Sequence, residues 1–347
     1  MRLVVSGYIG HGNIGDEWVL AGLLSTLRQV APDASVVAIS GDPAQTRRAH
    51  GIDAVGRTDA IGIGRALRAS DGLISGGGSL LQDVTSARPV AYYAGVMLLA
   101  RAMGRPYVIH AQGLGPIRRG TNRRLAATAL RAAAAVSLRD PDSIATARAL
   151  GIRRHIDLAP DPALALAPRF TPGRGGAIVV AVRDWPSARP YLPAIRAALD
   201  LVRDLGPIVA LPMHGSGDVG ASRAVLQDIA GAEVLASDLS HEQAADVIGA
   251  ARLVVGMRLH ALILAAGSDV PAVAISYDPK VDAFAAQVGQ PVAGFVDEPI
   301  DPEALASAMR AALSARRSVT RQRVAALRAD LGRAAQTSVR AIAEWRG

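Results

Sequence analysis

The feature that most constrains the fold of this chain is a regular alternation of short apolar runs with longer helical stretches. Helical stretches such as 17–31, 89–104 and 122–134 separate the apolar runs. The runs have the length and composition of buried strands, and they lie at 2–8, 34–40, 72–77, 106–112 and 134–140. A strand–helix–strand rhythm predicts a parallel sheet that is covered by helices on both faces.

The same rhythm stops once and then restarts. A Pro- and Gly-rich stretch around 160–176 interrupts it, and further strands follow at 177–183, 207–213, 232–237, 252–257 and 271–277. We therefore predict an α/β protein with two Rossmann-like parallel-sheet domains, residues 1–165 and 176–302, and a C-terminal helical region at 303–347. Two such domains facing each other across a cleft form the GT-B arrangement of many glycosyltransferases.

Composition excludes several classes of site. The chain has no cysteine, which rules out disulfides, thiolate zinc sites and a cysteine nucleophile. No basic-then-apolar leader precedes the first strand, so we expect a cytoplasmic protein. The net charge of +8 fits an anionic small substrate or a peripheral contact with an anionic membrane face. Aromatic residues are scarce, which argues against nucleic acid as the partner.

A glycine-rich turn follows the first strand. In "GYIGHGNIGDEW", Gly10, Gly12 and Gly15 have the spacing of a dinucleotide-binding turn. Asp16 and Glu17 come directly afterwards, where two carboxylates would repel a pyrophosphate. They are interpreted either as ordinary partners of the helix dipole or as partners of sugar hydroxyls. We expect no nicotinamide or flavin cofactor.

Other polar residues also follow predicted strands, where doubly wound sheets bind ligands. Arg139 in "SLRDPDS" has two interpretations, a surface salt bridge with Asp140 or Asp142 and a contact with an anion. The residues expected to contact the acceptor or line the cleft are Asn13, Gly77, Ser79, Gln112 and His214.

The stretch "LVVGMRLHALILAAG" places Arg258 and His260 in the first turn of a helix. The helix dipole disfavours cations there, and a broken local rule at the end of a strand indicates an anion site. Lys280, the only lysine among 38 Lys and Arg residues, follows the next strand. If the two strands are neighbours, the three side chains converge on one anion, with Arg139 across the cleft. The alternatives are a solvated loop lysine and a hydrogen-bonded core histidine.

Taken together, seven segments resemble the polysaccharide pyruvyl transferases, in particular the bacterial cell-wall type called CsaB. In chain order they are "GNIGD", "GGGSLLQD", "QGLGPI", "SLRDPDS", "DPAL", "MRLHALILAA" and "SYDPKV", within a match over about residues 3–290. The resemblance implies a GT-B-like fold, phosphoenolpyruvate as donor, and a product with pyruvate as a cyclic 4,6-ketal on a sugar. That sugar is commonly N-acetylmannosamine in lipid-linked or polymeric precursors of cell-wall polymers that hold S-layer proteins. No divalent metal is implied.

By motif position, the resemblance makes Arg139, Arg258, His260 and Lys280 the donor-site residues. His260 would be the general acid for the methylene carbon, and the cations would neutralise the departing phosphate. Asp16 would orient or deprotonate the acceptor hydroxyl.

Two other functions stay open. One is a nucleotide-sugar-dependent glycosyltransferase of the same architecture, and the other is a non-catalytic module that binds an anionic polymer or membrane through its charge. The sequence leaves the acceptor sugar, the ketal stereochemistry and the oligomeric state open.

Overall fold

The computed structural model describes residues 1–84, 86–166 and 176–345, so part of the predicted boundary at 160–176 lies outside the described residues. The chain divides into two compact units. The first consists of Met1–His11, Asp16–Ala165 and Leu327–Gly347, and the second of Gly12–Gly15 and Leu166–Ala326.

The first unit contains a seven-stranded parallel sheet in the order β3-β2-β1-β4-β5-β6-β7. Its strands are β1 Arg2–Ser6, β2 Ser35–Ser40, β3 Asp53–Gly56, β4 Gly72–Gly76, β5 Tyr107–Gln112, β6 Ala135–Leu138 and β7 Asp157–Leu158. The intervening helices are α1 Ile14–Val30, α2 Pro43–His50, α3 Ala60–Arg68, α4 Arg88–Ala102, α5 Gly120–Ala132 and α6 Pro141–Ala149. The strand order reverses between β1 and β4, so the predicted ligand crevice of this sheet lies at their carboxyl ends.

The second unit contains a six-stranded parallel sheet in the order β10-β9-β8-β11-β12-β13. Its strands are β8 Ile178–Ala181, β9 Ile208–Ala210, β10 Glu233–Val234, β11 Leu253–Gly256, β12 Ala272–Ser276 and β13 Val292–Phe295. Its helices are α7 Tyr191–Asp200, α8 Gly215–Leu226, α9 His241–Gly249, α10 Leu259–Gly267, α11 Pro279–Val288 and α12 Pro302–Ser314. Here the order reverses between β8 and β11.

Two α/β units with parallel sheets and C-terminal helices confirm the predicted fold class. The apolar runs at the centre of each sheet are buried on both faces, as in β4 and β11, and aliphatic residues fill most of each core. Parallel sheets covered on both faces require such continuous apolar strands.

The predicted C-terminal helical region contains α12 and a second helix, α13 Ser318–Ala343. Residues of α13 up to Ala326 belong to the second unit and those from Leu327 to the first. No helix within the described ranges combines the length and apolarity that crossing a bilayer requires.

Candidate active site

Three of the predicted donor residues lie at one edge of the second sheet. Strands β11 and β12 pair in parallel, with Gly256 opposite Ala274, so their carboxyl ends are adjacent. Arg258 is the N-cap residue of α10 and His260 lies in its first turn. Lys280 is the second residue of α11 and therefore lies in a helix, rather than in a loop.

Arg258 is committed to a buried carboxylate of the protein itself. Its guanidinium donates to Asp218, whose side chain is almost fully buried. The other Asp218 oxygen accepts the backbone N–H groups of Met213 at 3.1 Å and His214 at 3.0 Å. The ion pair therefore fixes the turn that follows β9, and a direct contact between Arg258 and an anion must share the guanidinium with Asp218. The sequence indicates that Asp218 follows a strand, but it does not indicate that Asp218 pairs with Arg258.

The segment Gly12–Gly15 belongs to the second unit through backbone contacts with this same turn. The N–H of Ile14 donates to the carbonyl of Met213 at 3.1 Å, and Asn13 forms an antiparallel bridge with His214. His214 Nδ1 also lies 3.4 Å from the carbonyl oxygen of Gly12. Asn13 and His214, both predicted to line the cleft, therefore lie side by side.

Gly15 contacts His260 closely. A Cβ atom at Gly15 would stand 2.2 Å from His260 Nδ1, a distance that no real side chain tolerates. The Asn13 side chain accepts the N–H of Gly15 at 3.1 Å and fixes the local backbone. The imidazole thus requires a glycine at position 15. The third glycine of the turn is therefore explained without a bound dinucleotide.

Lys280 is half-buried. Its Nζ lies 3.2 Å from Asp278 Oδ2 and 5.3 Å from the ring centroid of Tyr277. Asp278 is also the N-cap of α11, since it accepts the N–H of Lys280 at 3.1 Å. The ammonium is therefore held near the start of the helix by one carboxylate and one aromatic ring.

In the first unit, a small cavity lies at the carboxyl ends of β1 and β4, where the strand order reverses. Its polar lining residue is Asp16, in the first turn of α1, and Tyr8 and Gly77 also line it. Gly77 has a φ of +71°, and a Cβ atom there would stand 1.8 Å from Val19. The glycine turn after β4 therefore packs directly against α1 and brings Asp16 to the crevice.

Arg139 is buried, so its predicted salt bridge with Asp140 forms in the interior rather than on the surface. Its guanidinium donates to Asp161 at 3.2 Å and to Ser79 Oγ at 3.1 Å, and it lies 3.5 Å from Asp140. Asp161, from the "DPAL" segment, is the partner that local sequence did not indicate. Ser79 follows β4, Arg139 follows β6 and Asp161 follows β7, so these contacts join the carboxyl ends of three strands of the first sheet.

Gln112, at the end of β5, is fully buried. Its amide nitrogen lies 3.4 Å from Ser75 Oγ, and among the described residues its Oε1 has no hydrogen-bond partner. It therefore lies inside the sheet, away from the exposed surface of the crevice.

Glu17 has a structural role. Its carboxylate accepts the N–H of Gly10 at 2.8 Å and lies 2.8 Å from His50 Nε2, and both side chains are buried. The first N–H of the glycine turn is thus occupied by the protein's own carboxylate rather than open to a pyrophosphate. Asp16 and Glu17, adjacent in sequence, have different surroundings.

A row of aromatic and cationic groups also lies in the first unit. Tyr8 stacks on His11 with ring centroids 4.3 Å apart, and His11 Nε2 lies 2.7 Å from Arg57. Arg57 in turn lies over the ring of Tyr92 at 4.6 Å. Burial raises the pKa of the Tyr92 phenol, and Arg57 partly offsets this. Arg57 and Tyr92 are too far from Tyr8 and His11 in sequence for a local motif to indicate the row.

No group of three or more His, Asp or Glu side chains suited to a metal ion occurs in the parts of the chain that the structure describes. A family model described as "Polysaccharide pyruvyl transferase" matches residues 13–279. This range includes Arg139, Arg258 and His260 and ends one residue before Lys280. No curated protein matches the chain.

Solved structures with a similar fold are nucleotide-sugar enzymes. A UDP-GlcNAc 2-epimerase from Neisseria meningitidis bound to UDP-GlcNAc has a TM-score of 0.66 at 12% identity, covering 99% of this chain and 100% of that one. Anabaena HepE in complex with UDP-glucose has a TM-score of 0.63 at 15% identity, covering 96% of this chain and 98% of that one. Escherichia coli ADP-heptose LPS heptosyltransferase II has a TM-score of 0.54 at 18% identity, covering 90% of this chain and 99% of that one. At these identities the likeness shows a GT-B-like fold alone.

Proposed function

The chain belongs to the polysaccharide pyruvyl transferase family and is a pyruvyltransferase, and we propose that its donor is phosphoenolpyruvate and its acceptor a sugar of a cell-wall polysaccharide precursor. The observation that carries the proposal is the position of Arg258, His260 and Lys280 just after the adjacent carboxyl ends of β11 and β12. A small dianion fits a cationic edge beside a helix start.

His260 is the proposed general acid. In the reaction, the methylene carbon of phosphoenolpyruvate accepts a proton and C2 becomes an oxocarbenium-like centre. A sugar hydroxyl attacks C2 and loses its proton, and phosphate leaves with the electrons of the C–O bond. A second hydroxyl then attacks C2 and loses its proton, which closes the ketal. Packing against Gly15 supports this role, because a general acid must be held within hydrogen-bond reach of its target.

Lys280 and Arg139 are proposed to stabilise the negative charge of the donor, and Arg258 to act partly through Asp218. Lysine suits this position because its ammonium is a compact point charge, whereas arginine is a planar fork.

The acceptor is proposed to bind the first unit at the cavity beside β1 and β4. Asp16 supplies a carboxylate there for a sugar hydroxyl, and Tyr8 supplies an aromatic ring that is partly exposed. N-acetylmannosamine in a 4,6-ketal, as in CsaB-type enzymes of S-layer anchoring, is the specific acceptor that we propose. We propose a cytoplasmic location, where a lipid-linked precursor would bring the enzyme to the inner membrane face, and the net charge of +8 supports that contact.

The test is phosphate release from phosphoenolpyruvate with a lipid-linked N-acetylmannosaminyl disaccharide as acceptor. We expect release only when the 4- and 6-hydroxyls are free, and a methylated acceptor is the control. His260→Ala should abolish turnover while most of the donor affinity remains, because the proton is required in the transition state. Calorimetric binding of UDP-sugars without binding of phosphoenolpyruvate would instead favour a nucleotide-sugar transferase.

A further inference from the structure

Arg183 lies at the switch point of the second sheet, where ligand crevices form in folds of this kind. It follows β8 by two residues, and β8 and β11 are the strands between which the order reverses. The backbone N–H of Arg258 donates to the carbonyl of Ala181 at 3.1 Å. The chain after β8 therefore runs beside the start of α10.

The Arg183 guanidinium is held by two aromatic rings. It lies 4.9 Å from the ring centroid of Trp185 and 5.0 Å from that of Tyr277, and the two rings are 4.7 Å apart. Its Nη1 donates to the Tyr277 hydroxyl at 3.2 Å and its Nε to the carbonyl of Asp184 at 3.3 Å. Two rings and two hydrogen bonds orient the planar fork before any ligand binds.

The charge of Arg183 differs from that of the predicted donor cations in one respect. Arg258 is paired with Asp218, Lys280 with Asp278, and Arg139 with Asp161. Within the described ranges, no carboxylate lies at ion-pair distance from Arg183, although the residue is half-buried. A fixed and partly desolvated cation without an acidic partner is suited to an external anion.

Lys280 places a second cation beside the same ring. Its Nζ is 5.3 Å from the Tyr277 centroid, so both charges lie close to one aromatic side chain. One is a planar fork that matches a carboxylate in two parallel hydrogen bonds, and the other is a point charge suited to a phosphate near a helix start. Phosphoenolpyruvate carries both groups on one carbon.

We propose that Arg183 binds the carboxylate of the donor, while Lys280 and the start of α10 bind its phosphate. This inference rests on the proposed function, because it needs phosphoenolpyruvate as the donor. It assigns Arg183 to donor binding partly from its contact with Tyr277, 94 positions away in the sequence. Arg183 would bind the donor carboxylate through charge and hydrogen bonds alone and would take no covalent part in the reaction.

The test compares phosphoenolpyruvate with inorganic phosphate, which lacks the carboxylate. Titration calorimetry would measure both ligands with wild type, Arg183→Gln, Arg183→Lys and Arg189→Gln. Arg189 is an exposed arginine on the same connecting segment and serves as the matched control. We expect Arg183→Gln to weaken phosphoenolpyruvate at least about tenfold and to leave phosphate unchanged, since charge-assisted pairs have that magnitude. Arg183→Lys should recover only part of the loss, and Arg189→Gln should match wild type.

The outcomes separate the two proposals. Failure of wild type to bind phosphoenolpyruvate would reject the proposed donor and, with it, this inference. Normal wild-type binding with an unchanged affinity in Arg183→Gln or Arg183→Lys would overturn the inference alone. Equal weakening of phosphoenolpyruvate and phosphate would assign Arg183 to the phosphate and overturn the carboxylate assignment. Circular dichroism would check that each variant folds. If Arg183→Gln does not fold, the comparison is made with Arg183→Lys.

Discussion

At the scale of single residues, the surroundings of His260 depend on the absence of one methyl group. Gly15 has an ordinary backbone conformation that any residue adopts, so its requirement is for space rather than for φ. The imidazole occupies the volume in which a side chain would begin. A substitution there should move the ring while leaving its chemistry intact.

Gly15→Ala should therefore lower kcat by about a hundredfold, because a displacement of about 1 Å near reacting atoms has that effect. Donor affinity should change much less. The measurement is kcat from phosphate release together with the Kd for phosphoenolpyruvate. Gly64→Ala is the matched control, since a Cβ there meets nothing within 4 Å. A normal kcat in the Gly15 variant would mean that His260 tolerates displacement and has no precise role.

Sequence alone predicts part of this site. Strand ends in a parallel sheet share an edge, so local patterns around His260 and Lys280 were sufficient to predict that both lie at the same edge of the second sheet. The pairing of Arg258 with Asp218 depends on side-chain direction across 40 positions of sequence. No local pattern encodes that direction, and the same limit applies to the contact of Arg183 with Tyr277, 94 positions away.

At the scale of elements, the central strands were predictable, whereas three of the four edge strands were not. β3, β7 and β13 lie at or near sheet edges, are two to four residues long, and are only partly buried. Partial burial requires fewer apolar residues, so the pattern that indicates a strand is weak there. The predicted strand at 232–237 is likewise reduced to β10, an edge strand.

Helix α13 was predictable as a helix, but its contacts were not. In the first unit, a Cβ atom on Gly72 would stand 2.7 Å from Ile342, and Ser338 Oγ lies 3.1 Å from His110 Nδ1. Leu331 joins a small apolar cluster with Ala111. One face of the C-terminal half of α13 is therefore a buried part of the first unit.

Ile342→Ala should lower the free energy of unfolding of the first unit by about 2–5 kcal/mol, the range for removing a buried aliphatic side chain. Ile342 is 4% exposed, whereas Val319 at the other end of α13 is 53% exposed. Val319→Ala is the control and should change stability by no more than about 0.5 kcal/mol. Urea unfolding of both variants measures the difference. Equal stabilities would show that α13 contributes little to this core.

At the scale of the whole molecule, the response to acid follows from buried titratable groups. Burial lowers the pKa of His110 from 6.5 to about 4, so the folded chain keeps this imidazole neutral. Burial alone would raise the pKa of Asp83, but backbone N–H groups of Arg118 and Arg119 and the Asn122 amide lower it below its ordinary value of 3.8. The Asp83 contribution is therefore lost only at a pH lower than 3.8.

Between pH 4 and pH 6.5, protonation of His110 makes the unfolding free energy depend on pH. There the unfolded chain binds a proton that the folded chain does not, so the unfolding free energy must fall as the pH falls. The His110 contribution is complete above pH 6.5 and decreases by about 3 kcal/mol by pH 4, at roughly 1.4 kcal/mol per pH unit.

His110→Gln should remove this part of the pH dependence, whatever its effect on stability at neutral pH. Hydrogen exchange of the β5 amides at several pH values, corrected for intrinsic rates, gives the unfolding free energy of the first unit. His155→Gln is the control, because the side chain of His155 is 85% exposed and folding does not remove it from water. An identical slope in wild type and His110→Gln would place the acid sensitivity elsewhere. A shallower slope in His110→Gln, with the wild-type slope retained in His155→Gln, would attribute the acid sensitivity to the buried His110 imidazole.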